Sequence, residues 1–176
     1  MAKKRSHIVL HTTAFRHPAD ISLVKQWHTD PRLNEDTGRL FYQGKWYNSD
    51  TDLPQNVRGK RGNGWNDVGY HYFIRKSGEI QKGREEHVNG AHCADGGMNS
   101  KSLGICFEGH HNFEPWTQEQ WSTFKRLLKD IFTRHTIPTA NIIGHREAGS
   151  NKDCPGTQID MNNVRSTIGQ WRVGTI

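Results

Sequence analysis

One loop, residues 144–156, constrains the fold of this chain more than any other segment. It carries His145 and Cys154 nine residues apart, with Lys152 two residues before the cysteine. Imidazole and thiolate are ligands for a borderline metal such as zinc. Two such ligands and a cation on one loop suggest a metal site with an attached charge. A third ligand must then come from a segment that is distant in sequence, and the fold must bring that segment next to the loop.

Length and composition fit one domain spanning residues 1–176. A chain of 176 residues can bury a core, and six Trp and seven Phe offset a hydrophobic content of only 32%. The sequence has no apolar run near the roughly 18 residues of a membrane span. Residues 1–6 are basic, and the apolar run after them is too short for a signal peptide. We therefore expect synthesis in the cytoplasm without export by a signal peptide.

Net charge and cysteine content limit the classes of function that this chain can have. The formal charge of +6 serves either solubility or attraction to a polyanion, such as nucleic acid, an acidic cell wall or a membrane surface. No ladder of alternating aromatic and basic residues favours single-stranded nucleic acid. Three widely spaced cysteines argue against a disulfide framework, and the absence of Cys-x-x-Cys argues against a structural zinc finger.

Hydrophobic periodicity predicts strands and helices that follow one another as in an α/β protein. Residues 102–109 form the best candidate for its central strand. A capping box at Thr117 marks the start of a long helix that ends before Pro138. The remaining expected elements are strands over 7–13, 69–76, 79–83 and 141–144, and helices over 18–27 and 160–172. Residues 32–64 are an insertion with a small hairpin around Gln43 and Gly44.

The first and last predicted strands supply the missing geometry for the loop. His11 lies at the end of the first strand, and His145 follows the last strand. Ligands collect at strand ends in α/β proteins. Three protein ligands (His11, His145 and Cys154) with one open position are typical of a catalytic zinc site. Lys152 would then reach an oxyanion on a polarised carbonyl. Spacing alone does not select His11 from eleven histidines.

Five blocks in order across residues 7–168 resemble a known family. They are His11-Thr-Thr-Ala, Trp65-Asn-Asp-Val-Gly-Tyr-His-Tyr-Phe-Ile, Gly90-Ala-His, Asn99-Ser-Lys-Ser-Leu-Gly-Ile, and Gly144-His-Arg-Glu followed by Lys152-Asp-Cys-Pro-Gly. The resemblance is to the zinc-dependent N-acetylmuramoyl-L-alanine amidases. This group includes peptidoglycan recognition proteins and small phage lysozymes that are amidases.

The resemblance implies a fold, an α/β domain with a mixed central β-sheet flanked by helices, and it implies roles for individual residues. One zinc ion would be held by His11, His145 and Cys154 at the bottom of a surface groove. Tyr70 and Lys152 would be the catalytic residues, with a hydrogen-bonding role favoured for Tyr70 because an unperturbed Tyr is a poor base at neutral pH. Substrate contacts would come from residues resembling groove positions, namely His71, His92 and Asn99. Another branch uses a Glu on strand 102–109; Cys106 takes that place here, and Glu108 receives no catalytic role.

The family also implies a substrate and several alternative biological roles. The bond cut would be the amide between N-acetylmuramic acid and L-alanine of bacterial peptidoglycan, by a monomeric phage or prophage endolysin that reaches the cell wall after release. Alternatives are a non-catalytic peptidoglycan-binding module, a cytosolic wall-recycling amidase and an exported antibacterial toxin. Binding to an anionic wall or membrane surface is a further expectation, and binding to a phage RNA polymerase is a weaker one. The insertion at 32–64 is expected to rim the groove.

Overall fold

A computed structural model describes residues 4–174, so residues 1–3 of the basic N-terminal segment lie outside it. The described residues divide into two compact units, one of residues 4–20 and 70–174 and one of residues 21–69. The elements in chain order are β1 (His7–Thr12), α1 (Ile21–Thr29), β2 (Arg32–Leu33), β3 (Leu40–Tyr42), β4 (Lys45–Tyr47), β5 (Tyr72–Ile74), β6 (Ile80–Lys82), α2 (Met98–Lys101), β7 (Ser102–Phe107), α3 (Gln118–Arg134), β8 (Ile142–Gly144) and α4 (Met161–Arg172).

The first unit is built on a five-stranded mixed sheet in the order β6-β5-β7-β1-β8. β7 pairs in parallel with both β5 and β1, β8 pairs in parallel with β1, and only β6 is antiparallel to its neighbour. The predicted central strand is therefore confirmed as β7, and the predicted mixed sheet flanked by helices is confirmed as well. Within residues 4–174 no helix has the length and apolar character needed to cross a membrane.

Alternation along the strands separates a core face from a site face. Ile8 and Leu10 of β1 are fully buried in the main hydrophobic cluster, together with apolar residues of α3 and α4. His11 points to the opposite face, where it meets Tyr70 and His92. The core helices therefore cover one side of the sheet, and the functional side chains of β1 lie on the other.

Capping residues define the two long helices of this unit. Thr117 accepts a hydrogen bond from the Gln120 backbone N–H, and the Gln120 side chain accepts one from the Thr117 backbone N–H, which confirms the predicted capping box of α3. The Asp160 carboxylate caps α4 by accepting from the backbone N–H groups of Asn162 and Asn163. Both helix starts were thus encoded locally.

Two element predictions need correction. The helix predicted over 18–27 begins at Ile21 and ends at Thr29, so Pro18 is outside its first turn. The strand predicted over 69–76 is regular only from Tyr72 to Ile74. Tyr72 and Ile74 lie in the main core, whereas Tyr70 precedes the strand and its ring lies against His11 on the site face. A regular strand over 69–76 would have placed Tyr70 on the same face as Tyr72 and Ile74, and that part of the prediction is wrong.

The second unit contains α1 and a three-stranded antiparallel sheet in the order β2-β3-β4. β3 and β4 form the predicted hairpin, with Gln43 and Gly44 both at positive φ in its turn. Its own small core consists of Leu40, Tyr42, Leu53 and Val57. Ion pairs within the unit join Arg61 to Asp50 and Lys25 to Asp67.

Candidate active site

The register of two parallel strands brings the two candidate histidine ligands together. Leu10 of β1 pairs with Gly144 of β8, so the next residues, His11 and His145, leave neighbouring strands at the same edge. Their ring centroids are 4.7 Å apart. The expectation that strand ends deliver both histidines to one place is confirmed.

The loop after β8 folds back to bring Cys154 to the same point. The Arg146 N–H donates to the Cys154 carbonyl oxygen at 2.8 Å, and its guanidinium donates to the carbonyl oxygens of Asp153, Gly156 and Ile159. This closure places the Cys154 Sγ 3.6 Å from Nδ1 of His11. Arg146 is a residue that the sequence reasoning missed, although it lies in the His-Arg-Glu block.

The donor set matches the residue types that zinc takes. One ligand atom each from His11, His145 and Cys154 lie within 4.8 Å of one another. Burial raises the pKa of the Cys154 thiol to about 11, against the lowering effect of the Thr12 N–H and of Lys152. A thiol with this pKa stays protonated at neutral pH unless a cation binds it, and zinc supplies that charge. The residues therefore fit a zinc ion.

A second group of possible ligands shares His145. Its other members are Cys93, which is buried, and Asp95, which is exposed. The Asp95 Oδ2 lies 3.9 Å from His145 Nε2. Cys93 therefore provides a natural comparison for Cys154, because both thiols belong to a set that includes the same histidine.

A chain of hydrogen bonds fixes the orientation of the His11 ring. Its Nε2 lies 2.9 Å from Nδ1 of His92, and Nε2 of His92 lies 3.4 Å from the Ser102 hydroxyl. Burial lowers the pKa of His92 to about 3, so this ring is neutral. With His11 donating from Nε2 to His92, its Nδ1 carries no proton and faces Cys154 as a ligand atom must.

Tyr70 is partly buried, whereas Lys152 is exposed. The Tyr70 ring centroid lies 5.0 Å from that of His11, and burial, with the Cys106 and Cys154 thiols, raises the Tyr70 pKa well above its ordinary value. Tyr70 therefore keeps its proton and acts as a donor. Lys152 is exposed, and its charge helps to lower the pKa of His145, after the larger effect of burial.

The three predicted substrate-binding residues form part of the supporting structure. His71 has no exposed surface, accepts from the Gly104 N–H at Nδ1 and donates to the Val88 carbonyl from Nε2. Its side chain therefore supports the surrounding backbone in this structure, and the predicted substrate contact from His71 stays a prediction. The Asn99 Oδ1 accepts from the backbone N–H groups of His92 and Cys93 and so holds the loop that carries His92.

Glu108 and Cys106 lie outside the group of candidate ligands. The Glu108 carboxylate is buried and accepts from the backbone N–H groups of Ala19 and Lys76. These bonds tie together three segments of the first unit. Cys106 is fully buried in β7, as expected for a core thiol.

The residue types gathered here match the class of site in which three protein ligands leave a metal position open to one more ligand. The chain is a member of the N-acetylmuramoyl-L-alanine amidase family, whose model matches residues 2–157.

Sequence relatives fall into two groups. Peptidoglycan-recognition protein SC2 of Drosophila melanogaster is 41% identical over 110 residues, which cover 62% of this chain and 57% of that protein. The endolysin of Enterobacteria phage K11 is 35% identical over 104 residues, which cover 54% of this chain and 64% of the endolysin. The matched regions thus span less than two thirds of these relatives.

Solved structures share the fold. The endolysin amidase LysCS from Clostridium intestinale superposes with a TM-score of 0.65 at 22% identity, covering 94% of this chain and 84% of that one. Drosophila PGRP-LB superposes with a TM-score of 0.63 at 20% identity, covering 96% of this chain and 82% of the other.

Proposed function

We propose that this protein is a zinc-dependent amidase that hydrolyses the amide bond between N-acetylmuramic acid and L-alanine in bacterial peptidoglycan. The observation that carries the proposal is the convergence of His11, His145 and Cys154 with Tyr70 and Lys152 nearby. Membership of the amidase family supports the reaction class. Similarity to phage endolysins supports a role as a phage or prophage endolysin acting on the cell wall after release.

Each residue has a defined task in this reaction. His11, His145 and Cys154 would hold the ion, and His92 holds His11 in the tautomer that exposes Nδ1. Bound zinc supplies a Lewis acid that polarises the scissile carbonyl and lowers the pKa of water. Lys152 stabilises negative charge that develops on the substrate oxygen. Tyr70, with its raised pKa, donates a hydrogen bond and does not take a proton.

A non-catalytic peptidoglycan-binding module is the second candidate. The most specific support is similarity to peptidoglycan-recognition proteins, whose name describes recognition rather than cleavage. Cys154 argues for the enzyme because a binding module does not need a thiol beside two histidines. The two candidates differ in one observable, the appearance of new termini in the wall.

Digestion of purified peptidoglycan tests the proposal directly. We expect loss of turbidity that stops with a zinc chelator and returns with added zinc. Free L-alanine amino termini should appear without new reducing sugars, because the amide and not a glycosidic bond is cut. Reducing sugars, or activity indifferent to chelation, would overturn the amidase assignment. Binding to the wall without any new termini would instead favour the second candidate.

The shared histidine suggests a matched pair of cysteine variants. Cys154→Ser should abolish cleavage and lower zinc stoichiometry from one to near zero, whereas Cys93→Ser should retain both. Both replacements remove one partly or fully buried thiol near His145, so they control for each other. The reverse pattern would move the metal to Cys93, Asp95 and His145.

Two further replacements separate chemistry from metal binding. Lys152→Ala should reduce kcat by about a hundredfold, typical for loss of one group that stabilises an oxyanion, with zinc content unchanged.

Tyr70→Phe removes only the hydroxyl and should also lower kcat. Wild-type kcat in either variant would remove that residue from the catalytic set.

A further inference from the structure

A large cavity lies in the first unit, outside the candidate active site. Its volume is about 1120 Å³, and its walls come from the segment around β6, the following residues 84–87 and the second half of α3. The three candidate metal ligands, Tyr70 and Lys152 do not line it, and His71, which does, has no exposed surface. The amidase proposal therefore gives this cavity no task.

The cavity wall carries an excess of positive charge. Three of its residues are acidic, Glu85, Glu86 and Asp130. Six are lysines or arginines, so the excess is three charges in a chain whose total is +6. The six are Lys4, Lys82, Arg84, Arg126, Lys129 and Arg134.

Two of the acidic groups are already occupied. The Glu86 carboxylate accepts hydrogen bonds from the Tyr72 hydroxyl, the Arg134 guanidinium and His135. Burial opposes ionisation of Glu86, but these bonds outweigh it and lower the Glu86 pKa to about 2. Asp130 pairs with Arg134 as well. Arg134 thus pairs with both of these carboxylates.

Three cations face the cavity without a carboxylate partner. Within residues 4–174, Lys82, Arg126 and Lys129 form no ion pair. Lys82 belongs to β6, and the other two lie three residues apart on α3, on one side of the helix. Side chains from two elements thus present positive charge to one space.

The same cavity has an apolar part. Leu127 and the Tyr72 ring are buried in its wall, and Ile80 keeps 38% of its surface exposed. Lysine and arginine stems add aliphatic surface below their charged ends. An apolar wall with cationic groups suits an amphipathic anion better than a fully hydrated phosphate polymer.

We propose that this cavity binds the phosphate of an anionic phospholipid headgroup and docks the protein on an anionic membrane surface. Arginine and lysine donate charge-assisted hydrogen bonds to phosphate oxygens. Basic clusters gain further attraction from the negative potential of such a surface. The glycerol backbone of the lipid would lie against Ile80 and Leu127. The inference is independent of the amidase reaction.

Sedimentation with lipid vesicles tests the docking. We expect the wild-type protein to bind vesicles that contain phosphatidylglycerol and to ignore vesicles of phosphatidylcholine alone. The double variant Lys82→Glu/Lys129→Glu should lose at least tenfold in affinity. The control Lys45→Glu/Lys60→Glu changes net charge equally at two exposed lysines of the second unit that do not line the cavity, and it should lose less than threefold.

Several outcomes would overturn the docking inference. They are equal losses in both double variants, equal binding to the two vesicle types, no vesicle binding, and tighter binding to a soluble glycerol phosphate polymer than to vesicles. Retained cleavage of a soluble muropeptide would show that the cavity variant is folded. If the protein cuts no muropeptide at all, its thermal transition serves as the folding control, so failure of the amidase proposal stays separate from failure of docking.

Discussion

His92 and Ser102 determine which nitrogen of His11 is available as a ligand. The His11 ring has one nitrogen 2.9 Å from His92 and the other 3.6 Å from the Cys154 sulfur. Ser102 donates its hydroxyl proton to the Met98 carbonyl at 2.7 Å, which leaves its oxygen to accept from His92. The direction of the hydrogen bonds that run from His11 through His92 to Ser102 is therefore set by the Met98 carbonyl.

This arrangement predicts a difference between a variant of His92 that lacks a hydrogen-bond acceptor and one that keeps an acceptor. His92→Leu removes the acceptor for His11 Nε2–H and should weaken zinc binding by about 10- to 100-fold, the usual cost of losing such a partner. His92→Asn places an amide oxygen near the former Nδ1 and should retain most of the affinity. Competition with a chromogenic chelator measures both.

Thermal unfolding of the zinc-free proteins provides the control for this pair. Both variants should lose stability, His92→Leu because the His11 Nε2–H is left without an acceptor and His92→Asn because a smaller side chain leaves a gap. Equal zinc affinity in the two variants would show that His92 only fills space. A loss confined to His92→Leu would identify His92 as a positioning residue for His11.

The candidate ligands could be found from sequence, but their support could not. His11 and His145 each end an apolar strand, and strand ends are a known place for ligands. His92 lies on an irregular loop with no periodicity to place it, and its bond to His11 joins residues 81 positions apart. His71 was assigned to the substrate because its block resembles the family, whereas its burial depends on tertiary packing around Gly104.

Thr117 links the start of α3 to the turn between β5 and β6. Its hydroxyl accepts from the Gln120 N–H and donates to the Lys76 carbonyl. Thr117→Ala removes both bonds and should lower the free energy of unfolding by about 1 to 2 kcal/mol. Urea denaturation measures the change. Ser122→Ala, at an exposed position on the same helix, should change it by less than about 0.5 kcal/mol.

Local signals predicted elements well where they agreed with the packing. The capping box and apolar stripe of α3 lie within one segment, and both are confirmed. The alternation rule failed at Tyr70, because regular pairing begins only at Tyr72 and the preceding residues turn the Tyr70 ring toward His11. A period-two pattern cannot reveal where a strand stops being regular.

At the scale of the whole molecule, buried and paired titratable groups make stability depend on pH in two windows. Burial lowers the pKa of His71 to about 4 from its ordinary 6.5, so the unfolded chain binds this proton first. Stability from His71 is present above pH 6.5 and is lost as pH falls to about 4. For Glu86, whose pKa falls from 4.5 to about 2, the loss occurs between those lower values.

Replacing Glu86 should change the pH dependence of the unfolding free energy only in the lower of these two pH ranges. Each pKa unit corresponds to about 1.4 kcal/mol, so the His71 shift is worth on the order of 3 kcal/mol. Glu86→Gln should flatten the fall in unfolding free energy below pH 4.5 while leaving the fall between pH 6.5 and 4 unchanged. Urea titrations at a series of pH values, with chelator present so that zinc release does not contribute, measure both slopes. An unchanged slope below pH 4.5 would mean that the bonds from Arg134, Tyr72 and His135 do not hold the Glu86 carboxylate ionised in the folded protein.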